Sequence, residues 1–253
     1  MKSRALLATS ILCLGTAIAA PSQAGVIASH IGGADPELNG WQKLQGTHGV
    51  GSGASNAFGE LGWLINDVSG AGGSTLTFRD AMTVEEQAEV NATDWTFSSR
   101  LGVLDRFNDV IGSSTHLSVS TGNRIFTVDF SNPVGENVMM RTHIDGPGDP
   151  IYDLGFAGGI FDVDFFYDAV TFTADIFVND MLLVADWAGR VTSGQGFVHW
   201  GAADSRDVGG AVYMEVSLTT PTQATAVPAP PMVALMLAGL AATGARRMRG
   251  QSA

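Results

Sequence analysis

Several stretches of this chain alternate apolar and polar residues with a period of two, and that spacing constrains the fold more than any other feature. Trp95, Phe97, Leu101 and Val103 share one face against Thr96, Ser98 and Arg100, with Ser99 the one polar residue on the apolar side. Phe126, Val128 and Phe130 oppose Thr127 and Asp129, and Phe172, Ala174, Ile176 and Val178 oppose Thr171, Thr173 and Asp175. Near the end, Val212, Met214, Val216 and Leu218 oppose Tyr213, Glu215 and Ser217. Successive side chains of a strand point to opposite faces, so each stretch reads as a half-buried antiparallel strand.

Turn chemistry separates these strands. Ser120-Thr121-Gly122-Asn123 leads into one of them, and Asn179-Asp180 links 172–178 to 182–187 as a tight hairpin. Glycine, at 32 of 253 residues, exceeds the usual ~7% and supplies further corners. One helix is expected: Thr83-Val84-Glu85-Glu86 is a capping box, and 87–91 extend it for about two turns. Helices do not alternate with the strands. The expected fold is therefore all-β, an antiparallel jelly-roll β-sandwich with one short helix over 25–218.

The two ends read differently. Lys2 and Arg4 precede the apolar run 5–20, and Ser22-Gln23-Ala24 offers small residues where a signal peptidase reads, so residues 1–24 are expected to be a signal peptide cut after Ala24. Cys13, the only cysteine, lies inside that run, so the mature body is expected to have neither a disulfide nor a thiol nucleophile. At the far end a polar linker, 219–226, precedes Val227-Pro228-Ala229-Pro230, an apolar run over 232–244, and Arg246, Arg247 and Arg249. The run is shorter than the ~20 residues of a comfortable helical span. Basic residues at both ends favour the cytoplasmic side, which leaves everything between them outside the inner membrane.

The arrangement over 227–253 resembles the PEP-CTERM sorting signals that exosortases handle in Gram-negative bacteria making extracellular polysaccharide. Ala229 stands where the common Val-Pro-Glu-Pro motif has glutamate. The resemblance implies an exosortase partner, a short hydrophobic sorting helix inserted transiently in the inner membrane, and a destination at the cell surface or in the extracellular matrix. Cues in the body resemble the concanavalin A-like lectin/glucanase jelly rolls. They are Gly62-Trp63-Leu64-Ile65-Asn66-Asp67 as an early strand, the helical turn feeding Trp95, the hairpin over 172–187, and Val198-His199-Trp200-Gly201-Ala202 followed by Gly209-Gly210-Ala211 as the closing pair.

Charge narrows the partners. Five of the 13 basic residues lie in the two terminal segments, which leaves 8 against 25 acidic residues in the body. Such a surface repels nucleic acid and anionic lipid and suits neutral or cationic partners.

Catalytic patterns are sparse. The Glu-x-Asp-x-x-Glu strand that the resemblance to glucanases implies is absent, and the nearest acidic strand places Asp162, Asp164 and Asp168 on one face, interrupted by Phe166. That face reads as solvated, with Asp162, Asp164, Asp168 and Glu215 the pool for a hydrolase pair. His30, His48, His116, His143 and His199 lack the close spacing of zinc ligands and read as non-ligands. Asp145-Gly146-Pro147-Gly148-Asp149-Pro150, with Asp153 beyond, is the candidate calcium loop, read first as a metal-free acidic loop. Trp95 is expected in the core; Trp41, Trp63, Trp187 and Trp200 either pack or offer sugar platforms, and core is favoured for most. The leading expectation is a non-enzymatic surface module associated with extracellular polysaccharide. The alternatives are a glycoside hydrolase with an unrecognised carboxylate pair and a structural envelope protein that binds no sugar.

Overall fold

The computed structural model describes residues 24–46, 51–67, 74–104, 115–132, 135–205 and 209–221. In chain order the strands are β1 (Ala24–Ile31), β2 (Gln42–Gln45), β3 (Gly51–Ser55), β4 (Gly62–Asp67), β5 (Ser74–Ala81), β6 (Trp95–Val103), β7 (Thr115–Ser120) and β8 (Arg124–Ser131). They continue as β9 (Met139–Thr142), β10 (Ile151–Asp153), β11 (Ile160–Asp168), β12 (Thr173–Val178), β13 (Met181–Trp187), β14 (Arg190–Val191), β15 (Phe197–Ser205) and β16 (Gly209–Pro221). A single α-helix among the described residues, α1 (Val84–Ala92), joins β5 to β6.

The strands form two antiparallel sheets. The first runs β13-β12-β11-β6-β16-β4-β3, with β1 also on β16; the second runs β10-β9-β8-β7-β15-β5-β2, with β14 also on β8. Strand β16 is long enough to hold two neighbours on one edge, β4 at residues 209–213 and β1 at residues 215–221, while β6 lines the other. Strand β8 is shared in the same way between β9 and β14. The expected jelly-roll sandwich is thus present, and β15 and β16, though consecutive, belong to opposite sheets.

Alternation builds the core as the sequence implied. Trp95, Phe97, Leu101 and Val103 of β6 and Phe161, Val163 and Phe165 of β11 face Leu117, Val119, Phe126, Val128 and Phe130 of the second sheet, all at 1% exposure or less. Ser99 on the apolar side of β6 gives its hydroxyl hydrogen to the Glu215 carbonyl, 2.9 Å away, so its burial leaves no lost bond. All five tryptophans are buried. Trp200 centres one aromatic cluster, with ring centroids 4.9 Å from Phe78, 4.7 Å from Tyr213 and 5.0 Å from His30.

Two strand readings need correction. Phe172 does not join the apolar face of β12: it sits in the preceding turn at φ 60° and is exposed, and the strand starts at Thr173. On β16 the alternation is broken by a bulge between Tyr213 and Glu215. Tyr213 opposite Leu101 therefore points into the core with Ala211, whereas beyond the bulge Val216 and Leu218 do.

Helix α1 has the expected capping box. Thr83 Oγ1 accepts from the Glu86 amide at 3.2 Å, and Glu86 Oε2 accepts from the Thr83 amide at 2.7 Å. The expected signal peptide, apart from Ala24 at the start of β1, lies outside the described residues, as does the expected sorting segment with Val227, Pro228, Ala229, Pro230, Arg246, Arg247 and Arg249. Thr219, Thr220 and Pro221, read as the start of a linker, are the last residues of β16 and pair with Val26, Gly25 and Ala24. Among the described residues no helix is long and apolar enough to cross a membrane.

Candidate polar site on the outer face of the second sheet

In β7, Leu117 and Val119 fill the core, so His116 and Ser118 face away from it, yet these are as deeply buried as the core residues, at 4% and 2% exposure. The same parity turns Thr127 and Asp129 of β8, Phe197 and His199 of β15, Arg141 of β9 and Arg79 of β5 onto this outer face. Strand register then sets them in two rows. One is Arg79, His199, Ser118 and Thr127; the other is Thr77, Gly201, His116, Asp129 and Arg141. Gly201 adopts φ 139°, and a Cβ there would lie 2.5 Å from the Leu76 carbonyl, so glycine keeps β15 close to β5.

Polar contacts tie the rows together. His116 Nε2 lies 3.1 Å from His199 Nδ1, and the Ser118 and Thr127 hydroxyls are 2.8 Å apart. Asp129 receives the Arg141 guanidinium and, at 2.7 Å, His143 Nε2, while His143 Nδ1 stands 3.3 Å from Asp149 Oδ2. The Arg79 guanidinium carbon sits 4.2 Å from the centre of the Phe197 ring. Burial pushes the Asp129 carboxyl up, but the hydrogen bonds from His143 and Arg141 outweigh it and hold the group below the usual carboxylate range. Burial lowers His116 to about 4, partly offset by Asp129, and His199 is lowered by burial together with His116 and Arg79. Both rings are therefore neutral near pH 7. Above the buried His116 and Asp129 and the half-buried His199, the partly exposed rim offers the Arg79 and Arg141 guanidinium groups and the Thr127 hydroxyl beside the Phe197 ring, chemistry that suits a hydroxyl-rich ligand.

The candidates read from sequence are distributed elsewhere. Asp162 and Asp164 project from the outer face of the first sheet, where Asp162 takes Arg100 Nη1 at 2.9 Å on each oxygen and Asp164 takes the Ser98 hydroxyl. Burial, with Asp162 and Asp180 nearby, raises Asp164 in spite of that bond. Asp168 caps its own turn by accepting the Val170 amide at 2.6 Å, and Glu215 accepts from Ser217 at 3.5 Å. Of the proposed calcium ligands, Asp145 accepts the Val191 amide, Asp149 the Ile144 amide, and Asp153 the Gly155 amide and Asn137 side chain. Each carboxylate has its own protein donor, and among the described residues no group of three or more His, Cys, Asp or Glu is arranged to hold a metal ion.

Sequence spacing missed the histidine pair and the Asp129 cluster. His116 and His199 are 83 residues apart, and only the pairing of β7 with β15 brings them together. The available signal was a polar residue alternating with Leu117 and Val119, and it does not say which strand lies alongside.

A family model described as the lectin insertion of Vibrio cholerae sialidase matches residues 64–227. The chain belongs to that lectin-insertion family. The match takes in every strand from β5 to β16 and so the whole histidine and Asp129 cluster. Among solved structures, the conserved carbohydrate esterase of the Shiga toxin-encoding bacteriophage phi24B matches over 78% of this chain and 99% of its own, at 9% identity and TM-score 0.53. Peanut lectin matches over 78% of this chain and 97% of its own, at 11% identity and TM-score 0.49, and Bacillus licheniformis β-glucanase over 70% and 91%, at 11% and 0.42. At 9% identity the likeness to the esterase is one of fold. No curated protein matches the sequence.

Proposed function

We propose that the chain is a carbohydrate-binding module that engages glycan through the outer face of β5, β15, β7 and β8. Membership of the lectin-insertion family carries this reading, and the polar array supplies its chemistry. Arg79 and Arg141, both partly exposed, donate, the buried Asp129 orients Arg141, and the Phe197 ring packs against Arg79 at the margin. The opposite face suits the role less well, because Asp162 is neutralised by Arg100 and Asp168 caps a turn. The module works without catalysis. Residues 1–24 and 227–253 are its export and exosortase-sorting signals, placing it on the cell surface or in the extracellular polysaccharide of a Gram-negative bacterium.

A glycan array probed with the purified chain, in calcium and again in chelator, tests this. Saturable binding to a subset of glycans is expected. A blank array in both conditions overturns the reading and leaves a structural envelope protein, whereas cleavage of an arrayed glycan replaces it with a hydrolase. Binding lost only in chelator would place an ion at the site.

A further inference from the structure

The paired imidazoles have no role in holding the core, since both point away from it, yet His116 is nearly as buried as Leu117 beside it. One hydrogen joins His116 Nε2 and His199 Nδ1 across 3.1 Å, and that contact is available only while at least one facing nitrogen is unprotonated. In either neutral tautomer the far nitrogens, His116 Nδ1 and His199 Nε2, are one donor and one acceptor, and neither has a partner among the described residues. The surroundings are unfavourable to added positive charge. Arg79 faces the pair from β5, and Arg141 and His143 face it from β9 and the residue after it. Asp129, on β8 directly across from His116, already serves Arg141 and His143, and Asp149 lies beyond His143. Thr127 and Ser118 are uncharged and bonded to each other. From the core side, the buried Tyr213 hydroxyl donates to the Gly201 carbonyl at 3.0 Å and fixes the backbone next to His116.

We propose that the His116–His199 contact is a proton-operated latch between β7 and β15, closed while the rings are neutral and opened on acidification, so that the glycan face is lost in acid. A first proton places charge among Arg79, Arg141 and His143 with no unengaged carboxylate to meet it. A second sets N–H against N–H and breaks the contact. Solvation of the rings then requires the β7–β15 face to open. The release of ligand rests on the glycan-binding reading; the opening itself does not.

Peptide-level hydrogen–deuterium exchange on the full chain between pH 7.5 and 4.5, corrected for intrinsic rates, reads the opening without any ligand. Opening of β7 and β15 is expected to rise about tenfold per pH unit for each proton taken up below ~6.5, with β6 and β11 still protected. In His116→Gln and His199→Gln the slope is expected to fall by one proton each. Because either variant can fail to fold, ring-nitrogen NMR titration of the wild type provides a second readout, in which both imidazoles titrate well below 6.5. Equal protection of β7 and β15 at both pH values, equal loss across β6 and β11, or a slope unchanged in both variants overturns the latch. An array blank at every pH, with the exchange slope present, removes the glycan reading and leaves the latch standing.

Discussion

At the residue scale, large buried rings set the stability and buried polar groups mark the site. Trp200 is fully buried against Phe78, Tyr213, Trp41 and His30. Replacing Trp200 by alanine is expected to cost about 3–5 kcal/mol, read as a fall in the urea midpoint. Asp129→Asn removes the charge shared by Arg141 and His143 and is expected to cost about 3 kcal/mol, whereas the half-exposed Asp162, paired with Arg100, costs less than about 1 kcal/mol on conversion to asparagine. Core tryptophans were legible because a large apolar side chain in an alternating strand has one favourable direction. Asp129 was not: with Phe126, Val128 and Phe130 in the core, period two places it outward, and outward ordinarily means solvated. Its burial follows from Arg141, His143 and His116 gathering around it from strands the local pattern does not reveal.

Among the elements, those with local causes were legible. Asn179 and Asp180 both take positive φ, 49° and 63°, the backbone of a type I′ turn between β12 and β13. Asn-Gly is the favoured pair for that geometry, so Asp180→Gly is expected to stabilise the protein by about 0.5 kcal/mol, seen as a higher Tm; a lower Tm would contradict the turn assignment. The capping box of α1 was legible for the same reason, and Thr83→Ala is expected to cost about 1 kcal/mol. The bulge on β16 was not legible. Period-two counting continues smoothly through Met214, and the reversal appears only where Tyr213 and Glu215 pair with consecutive residues Leu101 and Arg100 of β6. Local chemistry therefore revealed the hairpin and the helix, and the long-range pairing that determines which face meets the core had to come from the structure.

Across the whole molecule, titration of buried groups gives stability a pH dependence. Burial depresses His30 and His116 from 6.5 to about 4, and His199 is depressed as well. The unfolded chain therefore takes up protons first as the pH falls. The contribution of these histidines is complete above 6.5 and is lost as pH falls toward about 4, by at most about 1.4 kcal/mol per pH unit for each histidine. Asp80, raised by burial and by Glu86 from 3.8 to about 6, works in the opposite direction: its contribution is complete below 3.8 and is lost as pH rises to about 6. Asp164, also raised, acts in the same sense as Asp80; three histidines outnumber these two aspartates, so the urea midpoint is expected to climb between pH 4.5 and 6.5, and a flat profile would contradict the neutral burial of the histidines. The acidic body, with 25 acidic residues against 13 basic in the whole chain, makes the donor-rich face of the second sheet the chemically distinct surface of the sandwich. The most direct test of that assignment is a saturation binding titration of an array-selected oligosaccharide against the wild type, Arg79→Ala and Asp162→Asn. A Kd at least tenfold weaker, about 1.4 kcal/mol, is expected for Arg79→Ala and an unchanged Kd for Asp162→Asn; the reverse pattern would move the glycan to the first sheet and contradict the assignment.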